Sequence, residues 1–207
     1  MNLREIFNRY NTDKAEKHRY DIVYDSNFRD QRNEEVNVLE IGTFRGASTA
    51  AFREYFPKGN IYTIDIFKRV QQNEILVLQQ ERVYGLKADS MDSDLPNLIK
   101  KEWGDDIKFD FIIDDGAHYP LANRLTLENT FQFLKEDGSY YIEDFWPLHL
   151  MGENELKHHW LVNRPQEYNL NEHKKLLDVL SKYKVEHFDH RGMTRHPDSY
   201  VLKVENK

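Results

Sequence analysis

Five runs of aliphatic and aromatic residues, most of them ending in or against a glycine or an acid, stand out from a polar chain: Val38 to Ile41, Ile61 to Asp65, Arg82 to Leu86, Phe109 to Asp114 and Ser139 to Ile142. Short continuous runs of this kind predict strands buried on both faces, as in a parallel sheet. The stretches between them predict helices over Ala47 to Phe56, Val70 to Gln80, Pro96 to Trp103 and Pro120 to about Leu134, with turns at Pro57-Lys58-Gly59-Asn60 and Asp137-Gly138. Ahead of the first strand, Leu3, Ile6, Phe7 and Tyr10 recur at helical spacing, residues 11–20 read as a loop, and Tyr20, Tyr24 and Phe28 predict a second helix that covers one edge of the core. The chain closes with a helix near Glu172 to Lys182 and two strand-like runs, Lys184 to His187 and Ser199 to Val204, around a loop at 191–197. Strands alternating with helices predict an α/β doubly wound fold.

At 207 residues the chain suits one domain with a sizeable core. Its segments read as an N-terminal helical cover over 1–34, a core over 36–144, a substrate loop over 145–170, and a helix with the terminal strand pair over 171–207. A net charge of -7 argues against a nucleic-acid backbone as the main partner. The absence of cysteine excludes disulfides, thiolate zinc sites and a cysteine nucleophile, so any metal is held by oxygen or imidazole. No apolar run reaches membrane-spanning length and Met1-Asn2-Leu3-Arg4-Glu5 has no signal-peptide core, so the expectation is a cytoplasmic protein, with a homo-oligomer left open.

The first strand runs into Glu40-Ile41-Gly42-Thr43-Phe44-Arg45-Gly46, a strand, glycine turn and helix start of the kind that approaches nucleotides. The nicotinamide fingerprint needs glycine where Phe44 and Ala47 stand, which disfavours a nicotinamide-dependent oxidoreductase. Asp65 ends the second strand about twenty residues past the turn, where doubly wound folds grip a ribose diol. The bland alternative is an acid that caps the next segment. The spacing Glu-x-Gly-x-x-x-Gly resembles motif I of the class I S-adenosylmethionine-dependent methyltransferases. That resemblance implies a Rossmann-like seven-stranded, mostly parallel sheet with an antiparallel last strand and helices on both faces. It also implies that Glu40, Gly42, Thr43, Gly46 and Ser48 meet the donor's methionine part, that Asp89, with Ser90 or Asp92, meets its adenine, and that Asp114 lies on the same cofactor side.

Two carboxylates and an imidazole fall within Asp114-Asp115-Gly116-Ala117-His118, and the fifth strand ends in Glu143-Asp144. If the first, fourth and fifth strands are neighbours, these acids converge at the switch point. Carboxylates brought together repel unless a cation neutralises them, and a hard ion such as Mg²⁺ is the simple solution. Capping of helices or pairing with Arg124 is the structural alternative. Ile112 to His118, followed by Tyr141-Ile142-Glu143-Asp144, resembles the metal-dependent sugar O-methyltransferases of the mycinamicin-pathway type, with kinship to the cephalosporin hydroxylase family. The resemblance covers roughly residues 11–146 and implies Asp115, Glu143 and Asp144 as metal ligands and His118 as the base. Thr12-Asp13-Lys14 and His18-Arg19-Tyr20 resemble a segment of related sugar and polysaccharide methyltransferases, so Asp13, Lys14, His18 and Tyr20, with Trp146 and His149, are candidate substrate contacts. His158, His159 and Trp160 are weaker ones, and Arg191, Arg195 and His196 would suit a phosphate or carboxylate on the substrate. The implied reaction is methyl transfer to a sugar hydroxyl of a small molecule or glycan. The alternatives are a methyltransferase for a catechol or other vicinal diol, and a non-catalytic donor-binding subunit of a glycan-assembly complex.

Overall fold

A computed structural model describes residues 1–207. The N-terminal layer holds α1 (Leu3–Arg9), α2 (Asp13–Glu16) and α3 (Tyr20–Phe28). The core then runs β1 (Asn37–Ile41), α4 (Ala47–Tyr55), β2 (Asn60–Asp65), β3 (Val83–Lys87), α5 (Leu95–Trp103), β4 (Phe109–Asp114), α6 (Pro120–Thr130) and β5 (Leu134–Ile142). Two single turns, α7 (Glu153–Leu156) and α8 (His159–Asn163), precede α9 (Leu170–Leu180), β6 (Lys184–Asp189), α10 (Arg191–Thr194) and β7 (Tyr200–Glu205).

The seven strands form one sheet in the order β3-β2-β1-β4-β5-β7-β6. β1 to β5 pair in parallel, and β7 runs antiparallel to both β5 and β6. Successive side chains of a strand face opposite sides, so the sheet has two cores. Val38, Phe111 and Tyr141 pack on one side with α1, α3 and α4, while Leu39, Ile112 and Tyr140 pack on the other with α5, α6 and α9. The aromatic stripe of α3 does what its spacing predicts: Phe28 lies 4.3 Å from the Phe111 ring and 5.0 Å from Tyr24. Because β2 lies to one side of β1 and β4 to the other, the carboxyl ends of β1 and β4 open a crevice, which is where such sheets take ligands.

Five local expectations change. The helix expected over Val70 to Gln80 is instead two 3₁₀ turns, Gln72–Glu74 and Leu76–Gln79. Ile75 and Val77 both press on Gly46, where a Cβ would lie 2.7 Å from each side chain, and an α-helix would point residues two apart in nearly opposite directions. The helix from Pro120 stops at Thr130, and Asp137-Gly138 lies inside β5, whose register with β4 shifts between Phe109 and Phe111. That irregularity absorbs the turn residues without ending the strand. Residues 11–20 carry the single turn α2, and α10 occupies part of the 191–197 loop. Residues 145–170 carry a small core of their own, Trp146, Leu148, Met151, Leu161 and Tyr168. No helix is long and apolar enough to cross a membrane.

Candidate active site

Ladder hydrogen bonds carry three strand ends into register. Gly42 donates to the Ile64 carbonyl at 2.8 Å, Asp115 to Ile41 at 2.9 Å and Glu143 to Asp114 at 2.9 Å. Gly42 has φ +96°, and a Cβ there would sit 2.1 Å from the Asp115 carbonyl oxygen, so only glycine lets the two turns touch.

On the glycine side of the crevice most partners are local. Asp65 accepts the backbone N–H of Phe44 at 2.9 Å and of Phe67 at 2.7 Å, tying together two turns whose phenylalanines both have φ 47°. Thr43 is buried and its hydroxyl lies 2.5 Å from that of Thr63. Glu40 is fully buried and accepts from the Thr49 hydroxyl through Oε2, while Oε1 has no partner. Burial raises the Glu40 carboxyl to about 7, with Lys14, Ser48 and Thr49 acting in the other direction. Asp89 is exposed and accepts from the Met91 N–H at 2.9 Å. Ser90 accepts from the Thr126 hydroxyl at 2.8 Å, and Asp92 caps the Asp94 N–H at 2.9 Å. Asp114 turns toward α6, accepting from the Asn123 amide at 3.1 Å, and burial raises it to about 6.

On the acid side the side chains come from distant parts of the chain. One ligand atom from each of Asp115, His118 and Asp144 lies within 4.8 Å of the others. His118 has φ 61°, its Nε2 is 3.7 Å from Asp115 Oδ1, and its buried Nδ1 has no partner. Burial disfavours the imidazolium, but the carboxylates of Asp144, Asp115 and Asp114 outweigh it, so His118 lies above the ordinary imidazole range. Glu143 lies behind this group, with Oε2 bonded to the Lys14 ammonium and Oε1 to the Tyr24 hydroxyl. Lys14 also holds Asp115 Oδ2 at 2.6 Å. Burial works against the Lys14 charge, and Asp115, Glu143 and Glu40 more than offset it, holding the ammonium well above the usual lysine range. Asp144 accepts from the Tyr20 hydroxyl at 2.6 Å and lies 3.6 Å from His18 Nδ1. Burial raises the Asp144 carboxyl, with His118 and His18 acting the other way.

Of the expected substrate contacts, Lys14, His18 and Tyr20 are about 1 % exposed and stand behind the acids, whereas the Asp13 side chain is 55 % exposed beside His18 and Lys17. Trp146 is buried in the small core, edge-on to Tyr168 at 5.6 Å, and His149 Nδ1 lies 2.7 Å from His173 Nε2. Arg191 is paired with Asp189 and Glu155, Arg195 is exposed, and the His196 ring lies 5.6 Å from that of His18. Arg124 pairs with Glu128 and Glu172 rather than with the acids of the cluster. The Tyr24 hydroxyl and Thr49 were not among the expected site residues. A signal for Tyr24 was present: two positions of the α3 stripe are tyrosine, and their hydroxyls reach the consecutive acids Glu143 and Asp144.

The chain is 32 % identical over 158 residues to mycinamicin VI 2''-O-methyltransferase of Micromonospora griseorubida, an overlap of 72 % of this chain and 37 % of that one. Its fold matches the MycE methyltransferase of the mycinamycin pathway, in complex with Mg and SAH, with a TM-score of 0.70 and 26 % identity over 99 % of this chain and 54 % of the other. The chain belongs to the class I S-adenosylmethionine-dependent methyltransferases. Within that family it resembles the sugar O-methyltransferases, among them demethylmacrocin O-methyltransferase of Streptomyces fradiae, 32 % identical over 72 % of this chain and 38 % of that one. This methyltransferase chain spans about half the length of the solved relative and less of the curated ones. Methanococcus jannaschii fibrillarin shares the fold, with a TM-score of 0.55 and 19 % identity over 84 % of this chain and 69 % of the other. No family model matches the sequence.

Proposed function

We propose that this chain transfers a methyl group from S-adenosylmethionine to a hydroxyl of a sugar or sugar-bearing metabolite, with a hard divalent ion such as Mg²⁺ at the acid cluster. The observation that carries the reading is the grouping of Asp115, His118 and Asp144 within 4.8 Å, where the Asp115 turn touches the Gly42 turn. The donor set suits such an ion, because two half-buried carboxylates face an imidazole whose Nδ1 has no partner. Asp115 and Asp144 would hold the ion directly, and Glu143, whose two oxygens already accept from Lys14 and Tyr24, would join them only through a second lone pair. When bound, the ion would supply Lewis acidity toward a neighbouring hydroxyl.

The other roles belong to the chain's own groups. Glu40 would present its unpartnered Oε1 to the donor's amino group, Asp65 would accept the ribose hydroxyls, and Asp89 with Ser90 would lie on the adenine side. A sugar hydroxyl is a poor nucleophile until its proton is taken, and His118, oriented by Asp115 and Asp144, would accept that proton. The acceptor class is supported by relatives whose names specify a rhamnosyl group on tetracenomycin-C and an olivosyl group on oleandolide. The test is labelled S-adenosylmethionine with Mg²⁺ and a panel of deoxysugar glycosides and nucleotide sugars. Label transfer that EDTA stops is the expected result. Transfer unaffected by EDTA would remove the metal, and donor binding without transfer to any acceptor would favour a non-catalytic subunit.

A further inference from the structure

We propose that Lys14 is a built-in counter-cation of the acid cluster: a positioning residue that bridges Asp115 and Glu143 in the ion-free protein and against which a divalent ion must bind. The inference rests on the metal reading above and gives Lys14 a part other than substrate contact, since its side chain is 2 % exposed.

Strand register brings Asp115, Glu143 and Asp144 to one crevice whatever else is bound. Asp144 is served by the Tyr20 hydroxyl and lies near His18. Asp115 and Glu143 have the Lys14 ammonium, at 2.6 Å from Asp115 Oδ2 and in contact with Glu143 Oε2. Buried carboxylates without a cation repel one another and lose hydration, so this one ammonium lets the cluster exist before an ion arrives. One ammonium does not offset three carboxylates, so a negative excess remains that favours a further cation. The ammonium occupies Asp115 Oδ2 and leaves Oδ1 toward His118. It therefore aims the free oxygen, but it also repels any dication that takes it. Removing the charge should trade stability of the ion-free protein for ion affinity, whereas a lysine that only braces the fold would give no such trade.

The experiment uses the full chain and Mn²⁺, followed by electron paramagnetic resonance, with thermal melts in chelator and in saturating Mn²⁺. Lys14→Met should bind Mn²⁺ at least about tenfold more tightly than wild type, and Lys14→Arg, which keeps the charge, should stay within about threefold. The melting temperature of Lys14→Met should fall further in chelator than in Mn²⁺, and a variant that folds only with Mn²⁺ is the same result in its extreme form. Lys14→Met that binds Mn²⁺ no more tightly, or is destabilised equally in both conditions, or is unfolded in both, overturns the proposal. Wild-type protein that takes up no Mn²⁺ removes the proposal and the metal reading together, and calorimetry with S-adenosylhomocysteine then decides separately whether the donor reading stands.

Discussion

The glycine turn and the acid cluster touch at Gly42 and Asp115 yet are built in opposite ways. The turn is organised by nearby backbone: Asp65 ties down Phe44 and Phe67, and no contact that shapes the turn needs a buried charge other than Glu40. The cluster is organised by ionisable side chains far apart in sequence. Lys14 lies 101 residues from Asp115 and 129 from Glu143, and Tyr20 lies 124 from Asp144. Backbone donors survive substitution and add no charge to desolvate, whereas each group of the cluster is stable only while its partner is there. Changes at the turn should therefore weaken binding first, and changes behind the acids should weaken the fold first.

The largest effect should separate chemistry from both. His118→Asn, a residue that tolerates φ 61°, should lower methyl transfer by about 10²–10⁴-fold, with the melting temperature near wild type. Unchanged turnover would strip the acid side of its catalytic part. Gly42→Ala acts where the two regions meet. With a Cβ 2.1 Å from a carbonyl oxygen, it should cost about 3 kcal/mol or more in denaturant unfolding and abolish binding of S-adenosylhomocysteine. Retained stability would mean that the contact can relax.

Glu40 is the exception on the turn side and gives the pH test. Its folded value of about 7 lies above the ordinary 4.5, so the folded protein holds that proton more tightly than the unfolded chain does. Its stabilising contribution is complete below 4.5 and is lost as pH rises through about 7, by up to about 3 kcal/mol. Glu40→Gln should flatten this part of the stability profile, raise stability at pH 8, and weaken donor binding. A profile unchanged by the substitution would contradict the buried carboxyl with one unpartnered oxygen. The smallest effects make the sharpest contrast. Tyr24→Phe should cost about 2 kcal/mol, a fall of roughly 4–8 °C, with donor affinity kept. Asp65→Asn should weaken donor binding about tenfold with stability within about 1 kcal/mol of wild type. The reverse pattern would undo the distinction between the two regions.

Much of the fold was legible because its signals are local. The runs from Val38 to Ile41 and from Phe109 to Asp114 read as buried strands, and the stripe at Tyr20, Tyr24 and Phe28 read as a helix, since neighbours in the chain share a face at a set period. The 3₁₀ turns at 72–79 were not legible, because what rules out the α-helix is Gly46, which takes Ile75 and Val77 on one side. The meeting of Asp115, His118 and Asp144 could be expected from motifs and strand order, but the cation behind them could not.

The amino-acid sequence alone determined the strands, the glycine turn and the acids at the strand ends, because periodicity and turn chemistry act over a few residues. Only the tertiary structure decided that Lys14 and Tyr24 face Glu143 and that Tyr20 faces Asp144. A buried charge takes its partner from whatever the folded chain brings within hydrogen-bonding reach, and no spacing along the sequence encodes that distance.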